Sequence, residues 1–172
     1  MLRRSFTTFK TGFSLRSNAF LQLRKPSAAC KITALHREAN ALVKNGNFDE
    51  AIKKYNEILE MKPSHIAALS NKGFALQQKG KITKALKLFD QAIQINANCE
   101  EAILNKGNVL FELKKYQDAI YCYDQVIKLN NNNVSAYYNK GHCLLGLNKF
   151  NEALECFKAL EKIKKAGIQK KS

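Results

Sequence analysis

NKGFALQQKG, residues 71–80, begins with an Asn-Lys-Gly tripeptide that stands again at 105–107 and at 139–141. The tripeptides start 34 residues apart both times. A glycine inside an apolar, helix-like run costs about 1 kcal/mol relative to alanine. Its return in one register therefore needs a structural or functional reason. We set the whole chain in rows of 34 residues to find it.

The rows share residue types at fixed columns, and their bounds are 32–65, 66–99, 100–133 and 134–167. The eighth column is small: Ala39, Gly73, Gly107 and Gly141. The twentieth is always alanine: Ala51, Ala85, Ala119 and Ala153. The twenty-fourth is aromatic: Tyr55, Phe89, Tyr123 and Phe157. Such agreement over four rows predicts a repeat array.

Each row carries two apolar patterns of helical period. In the second row they predict one helix over about 67–78 and another over about 82–95, with a break between them. Short breaks favour antiparallel helix pairs, and hence an all-α fold. Because columns eight and twenty are both small, we expect the glycines Gly73, Gly107 and Gly141 to press against Ala85, Ala119 and Ala153.

These columns resemble the tetratricopeptide (TPR) repeat, and the similarity covers about residues 32–165. No row has the family's Trp at column four, and Lys114 and Asn148 replace the glycine of the loop inside the helix pair. The resemblance implies a right-handed superhelical array of four antiparallel helix pairs, with the first helix of each pair lining a concave groove. It also implies a non-catalytic interaction module or adaptor that binds an extended peptide or partner segment.

In such an array, columns two, five, six, nine and thirteen face the groove. Column six holds Arg37, Asn71, Asn105 and Asn139. A side-chain amide both donates and accepts hydrogen bonds, so a row of asparagines could hold peptide main chain at regular intervals. The alternative is that asparagine is only a tolerated exposed residue. The lysine that follows each asparagine is expected to be a solvated or rim charge.

Further groove residues would supply specificity, and they are Asn40, Ser70, Phe74, Glu101, Leu104, Asn108, Tyr138 and His142. The carboxylate clamp of chaperone-binding TPR proteins is a less favoured mode. Only Asn40 and Asn71 match its pattern, and Glu101 stands where the clamp needs a cation, so it would repel a carboxylate. The other alternative is a structural or assembly subunit that uses the convex face or the uncapped C-terminal repeat, through which a homo-oligomer could also form.

Motifs for catalysis, cofactors and metals are missing from the sequence. It has no phosphate-binding loop, Rossmann fingerprint or HExxH motif. The five cysteines form no CxxC pair, which is typical of reduced thiols. We therefore predict no enzyme activity, no cofactor and no metal. An RNA-binding pentatricopeptide array fits the alanine and aromatic columns less well than a TPR array does.

The net charge of +15 belongs to the two ends of the chain. Residues 1–37 hold eight Lys/Arg and no acid, whereas residues 38–157 carry a net charge of only +2. The near-neutral centre argues against nucleic acid as a partner, and no apolar run is long enough for a transmembrane segment. Protein or peptide partners are expected, of a kind the sequence does not identify.

The segment 1–31 is basic and precedes the repeats, and the segment 166–172 is a lysine-rich tail. Leu2, Phe6, Phe9 and Phe13 form one apolar stripe on a helix that also carries arginines. This profile is typical of a mitochondrial transit peptide and predicts a mitochondrial location. An interfacial membrane anchor or a basic tail on a cytoplasmic protein are the alternatives.

Overall fold

The computed structural model describes residues 27–169, with side chains up to 166. The described residues form eight α-helices and no strand. In chain order the helices are α1 (Ala28–Lys44), α2 (Phe48–Met61), α3 (Ile66–Gln78), α4 (Ile82–Ile95), α5 (Glu100–Glu112), α6 (Tyr116–Leu129), α7 (Val134–Gly146) and α8 (Phe150–Gln169). The helices predicted for the second row therefore lie within one residue of α3 and α4. Among the described residues, no helix is long and apolar enough to cross a membrane.

The helices form four antiparallel pairs, because each packs against the next after a short turn. The first helices of neighbouring pairs also contact each other, α1 with α3, α3 with α5 and α5 with α7. The second helices make no such contacts with one another. The first helices α1, α3, α5 and α7 thus form one contiguous layer, which we call the inner layer. The second helices do not contact one another and lie on the other side of this layer.

The turn inside each pair has the same backbone geometry in all four rows. Its fifteenth-column residue has positive φ, at 77° for Gly46, 70° for Gly80, and 58° for both Lys114 and Asn148. Two backbone hydrogen bonds close the preceding helix, for example Gly46 N–H to Val43 O and Asn47 N–H to Leu42 O, the pattern of a Schellman motif. Lys114 and Asn148 adopt the left-handed conformation without being glycine, so these departures from the family pattern leave the turn unchanged.

The side chains nearest to the eighth-column glycines are aromatic rings, whereas we expected the alanines to lie nearest. A Cβ built on Gly73 would lie 2.6 Å from Cε1 of Phe89, and one on Gly141 would lie 2.6 Å from Cε1 of Phe157. Columns twenty and twenty-four share one face of the second helix, one turn apart. The larger ring reaches across to the glycine, while the alanine beneath it is fully buried.

Candidate peptide-binding groove

The groove asparagines lie on three consecutive first helices, Asn71 on α3, Asn105 on α5 and Asn139 on α7, and all three are half-buried. Arg37 occupies the same column on α1 and is exposed. The inner layer therefore carries one column-six side chain per repeat. What differs between repeats is the hydrogen bonding of these side chains.

A hydrogen-bonded triad joins the first repeat to the second. The Tyr55 hydroxyl donates to Asn40 Oδ1 at 2.7 Å, and Asn71 Nδ2 donates to the same oxygen at 3.0 Å. Asn71 Nδ2 also lies 3.5 Å from Nε2 of His36. Burial raises the pKa of Tyr55 to about 12, so its hydroxyl keeps its proton and remains a donor. The triad leaves the side-chain oxygen of Asn71 without a protein donor among the described residues.

The same triad joins the third repeat to the fourth. The Tyr123 hydroxyl donates to Asn108 Oδ1 at 3.0 Å, and Asn139 Nδ2 donates to it at 2.9 Å. Burial raises the pKa of Tyr123 as well. Asn40 and Asn108, predicted as groove residues, therefore bind the next repeat through their oxygens.

Between these triads the pattern changes, because the second repeat has Phe74 and Phe89 where the first has Asn40 and Tyr55. Asn105 consequently makes no side-chain hydrogen bond with the described residues. Its whole amide is free to pair with a ligand. This difference is visible in the sequence. In the two rows that have asparagine at column nine, column twenty-four is tyrosine, and in the row that has phenylalanine at column nine, column twenty-four is also phenylalanine.

The other predicted groove residues differ in exposure. Tyr138 is half-exposed, and its ring centroid lies 4.4 Å from that of His142, which in turn packs edge-on against Phe157. Phe74 is half-buried, and Leu104 packs partly against the core. The apolar floor expected from Phe74, Leu104 and Tyr138 stays a prediction.

Ser70, expected in the groove, is instead fully buried, and its hydroxyl lies 4.0 Å from Cys99 Sγ. Column five of the second repeat therefore lies in the interior, close to the start of α5. Glu101 is exposed, but neighbouring protein atoms keep part of the water away from its carboxylate, and this desolvation raises its pKa. A carboxylate at this point agrees poorly with the carboxylate clamp.

One end of the inner layer has a cavity of about 520 Å³ between α1 and the start of α3. Its polar lining is basic, with Arg37 and Lys44 at the rim, and Asn40 and the rings of His36 and His65 inside it. The two imidazole centroids are 5.6 Å apart, and burial together with the neighbouring His36 lowers the pKa of His65. The groove thus begins at a cationic, amide-bearing cavity and ends at the aromatic pair of Tyr138 and His142.

We expected the tripeptide lysines to be solvated or rim charges, but two of the three form ion pairs. Lys106 Nζ lies 2.7 Å from Asp90 Oδ1, and Lys140 Nζ lies 2.6 Å from Asp124 Oδ1, so each pairs with the second helix of the preceding repeat. Two of the three asparagines, Asn71 and Asn139, and two of the three lysines, Lys106 and Lys140, therefore join neighbouring repeats. Only the glycine acts within its own helix pair.

Metal-ligating side chains do not cluster in the part of the chain that the structure describes, and three cysteines lie in its core. No group of three His, Cys, Asp or Glu side chains converges there. Cys122, Cys143 and Cys156 are buried, and burial raises the pKa of Cys143 to about 11. A thiol with a raised pKa is a poor nucleophile.

The outer face of α8 is apolar at several positions. Phe150 is 63% exposed and Leu154 is 50% exposed, and Leu154 lines a cavity of about 330 Å³ together with Phe157 and Leu160. Oligomerisation through this end of the array stays a prediction.

The fold and the groove define the class of protein, a helical repeat array whose inner layer presents polar and aromatic side chains. Sequence comparison identifies the family. Profiles described as "Tetratricopeptide repeat" match residues 36–98 and 134–166, and one described as "TPR repeat" matches residues 107–147. Together the matches cover well over half of the 172 residues. The chain belongs to the tetratricopeptide repeat family, and its fold is the all-α superhelical array of that family.

Solved structures agree with this assignment. A crystal structure of MamA has a TM-score of 0.74 at 19% identity, covering 80% of this chain and 81% of that one. MamA from Desulfovibrio magneticus RS-1, residues 41 to the end, has a TM-score of 0.69 at 22% identity, covering 77% and 75%. Pseudomonas aeruginosa pilF has a TM-score of 0.75 at 19% identity, covering 80% and 63%. These similarities show the fold alone. No curated protein matches the chain in sequence.

Proposed function

We propose that this protein is an adaptor that binds an extended peptide segment of a partner protein in its concave groove. The TPR repeats support a protein–protein interaction or scaffold module, and TPR proteins are generally non-catalytic. The particular mode, main-chain binding by the asparagines, is supported above all by the unpartnered amide of Asn105 between two preorganised asparagines.

The spacing of the three amides suits an extended peptide. Helices that pack side by side lie about 8–10 Å apart, which corresponds to about three residues of extended chain. One amide per repeat therefore meets the peptide main chain about every third residue. Each free carboxamide oxygen can accept from a peptide N–H, and each free N–H can donate to a peptide carbonyl.

The two triads reduce the entropic cost of binding at Asn71 and Asn139. Each of these side chains already donates to the neighbouring repeat and is therefore held in one orientation. An immobilised side chain has less freedom to lose on binding, and preorganisation of this kind strengthens binding. Asn105 is not held by such a hydrogen bond, but both its side-chain N–H donors and its side-chain oxygen are free to pair with a peptide.

Asn105→Ala is the cleanest test, because Asn105 makes no hydrogen bond with the described residues that its removal would break. We expect the variant to fold with unchanged stability and to bind partners about fivefold more weakly, the effect of one lost hydrogen bond of about 1 kcal/mol. Asn105→Ala with Asn139→Ala should weaken binding further. Affinity capture and mass spectrometry on the wild type and both variants would measure this, followed by titration of the captured partner.

The matched control is Asn131→Ala with Asn151→Ala, which removes two exposed amides away from the inner layer. It should capture the same partners as the wild type. If the groove variants capture the same partners with equal affinity while the fold is intact, peptide binding by the asparagines is wrong, and the family assignment is unaffected.

We also propose that the protein is mitochondrial. The support is the acid-free composition of residues 1–31 and the apolar stripe of Leu2, Phe6, Phe9 and Phe13, which lie outside the described residues. Residues 1–31 fused to a fluorescent reporter should direct it to mitochondria in living cells. A matched fusion with Arg3→Glu and Arg4→Glu should lose this location, since presequences need positive charge. A diffuse cytoplasmic signal from the unaltered fusion would refute the proposal.

A further inference from the structure

The lysine ladder between repeats is broken at one position. Lys106 and Lys140 pair with Asp90 and Asp124 of the preceding second helix. The equivalent residue facing Lys72 is Asn56, which carries no charge. Lys72 is half-buried and has no carboxylate within 4 Å among the described residues. Burial lowers its pKa, as expected for an ammonium group that lacks a counter-charge.

Lys72 lies at the middle of a cleft on the outer side of the array. Because the second helices do not contact each other, α2 and α4 leave a gap whose floor is α3. The gap has two lobes of about 440 Å³ and 390 Å³. Both lobes are lined by Lys72, Leu88 and Gln91, so they form one continuous cleft along α4.

The first lobe is basic. Lys81, Lys84 and Lys87 line it together with Lys72, and no acidic residue is in its lining. None of these four lysines has a carboxylate within 4 Å in residues 27–166. The acid Asp49 lies close by, but it is paired with Lys79, which lowers its pKa.

The charge of α4 is a departure from the repeat and not a general property of the chain. The column of Lys84 is acidic in the other three second helices, with Glu50, Asp118 and Glu152. The first turn of α4 contains no acid, although an acid there would complement the helix dipole. The second repeat thus concentrates uncompensated positive charge at the start of α4.

The second lobe is apolar with amides at its edge. Leu59, Pro63 and Leu69 line it, and Ile95 at its end is 47% exposed. The 14 residues of α4 span about 20 Å, at about 1.5 Å per helical residue. The cleft therefore presents a line of lysines followed by an apolar surface over a length that suits one peptide segment.

We propose that the cleft between α2 and α4 docks an acidic amphipathic segment of a partner protein, with its carboxylates against Lys72, Lys81, Lys84 and Lys87 and its apolar side chains in the second lobe. The ends of this chain do not fit, because residues 1–26 hold six Lys/Arg and no acid, and residues 162–172 contain lysine but no acid. Since the groove lies on the inner layer and the cleft opens on the outer side of the array, one array could hold two segments at once.

The probe is a fluorescein-labelled peptide of about fourteen residues, made of Glu, Leu and Ala in a helical amphipathic order, and binding is followed by anisotropy. Lys84→Glu with Lys87→Glu should weaken binding by about tenfold or more, because both contacts become repulsive. Binding should also weaken as salt rises. Lys84 and Lys87 are exposed, so the variant should fold, and circular dichroism would check this; Lys84→Gln with Lys87→Gln is the milder replacement if it does not.

The charge-matched control is Lys115→Glu with Lys128→Glu on and beside α6, which changes the net charge equally outside the cleft and should alter affinity by less than about twofold. Asn105→Ala should leave the affinity for this acidic peptide unchanged, which separates the cleft from the groove.

Three results would overturn the proposal: no binding of the peptide, an equal loss of affinity in the charge-matched control, or equal binding of a peptide with Gln in place of Glu. So would stronger, lysine-dependent binding to phosphatidylserine vesicles or to a single-stranded RNA oligonucleotide, which would assign the cleft to that ligand.

Discussion

Replacing Phe89 by alanine should lower the free energy of unfolding by about 3–5 kcal/mol. The ring is fully buried, fills the space above Gly73, and belongs to a cluster with Leu76 and Ala85 of its own pair and Val109 of the next. Truncation would leave a cavity at the junction of the second and third repeats. Urea unfolding followed by circular dichroism at 222 nm would measure the loss.

Tyr121→Ala is the control for Phe89→Ala. Tyr121 is an aromatic residue of the next second helix, but it is 66% exposed, so its removal should change stability by about 0.5 kcal/mol or less. Because a repeat array is stabilised by interfaces between neighbours, Phe89→Ala should also broaden the unfolding transition as the halves lose cooperativity. A loss below about 1 kcal/mol would contradict the central position given to this ring.

The 34-residue register predicts where the helices lie because two local rules repeat with it. The apolar period marks each helix, and a left-handed turn residue ends the first helix of each pair at Gly46, Gly80, Lys114 and Asn148. Both rules depend on neighbouring residues in sequence. Helix positions and the fold class were therefore accessible without a structure.

Contacts between helices were harder to predict because several columns share one helix face. Small residues at columns eight and twenty indicate a close approach, but they do not tell whether an alanine or the ring one turn later fills it. The burial of Ser70 likewise depends on how closely α3 and α5 pack. By contrast, the lysine ladder could have been found, because Asp90 and Asp124 each stand 16 residues before the lysine that they pair with.

The candidate groove was predictable in outline and not in detail. The family resemblance implies that column six lines the groove, and the structure has Asn71, Asn105 and Asn139 half-buried on the inner helices. It does not imply that two of them are tied to Asn40 and Asn108 by hydrogen bonds. That difference arises from whether column twenty-four carries a hydroxyl.

Gly107→Ala should destabilise the protein by up to about 2 kcal/mol, although alanine is the better helix former. Helix propensity alone would stabilise the variant by about 1 kcal/mol. The new Cβ, however, would lie 2.8 Å from Cε1 of Tyr123 and 3.1 Å from Cβ of Cys122. The ring is fully buried and its hydroxyl is bound to Asn108, so it has little room to shift. Overpacking of this kind costs about 1–3 kcal/mol, which outweighs the gain.

Ala39 supplies the reverse experiment, because it occupies the same column in the first repeat, fully buried in one cluster with Tyr55. Ala39→Gly should destabilise by about 1 kcal/mol, since the site already accommodates the methyl group and glycine weakens the helix. In a Tyr123→Ala background, Gly107→Ala should lose most of its cost, because only the 3.1 Å approach to Cys122 Cβ remains. The coupling between the two substitutions should exceed about 1 kcal/mol. If Gly107→Ala stabilises the otherwise unaltered protein, the ring does not set the spacing of the pair, and the glycine of the Asn-Lys-Gly tripeptide needs another explanation.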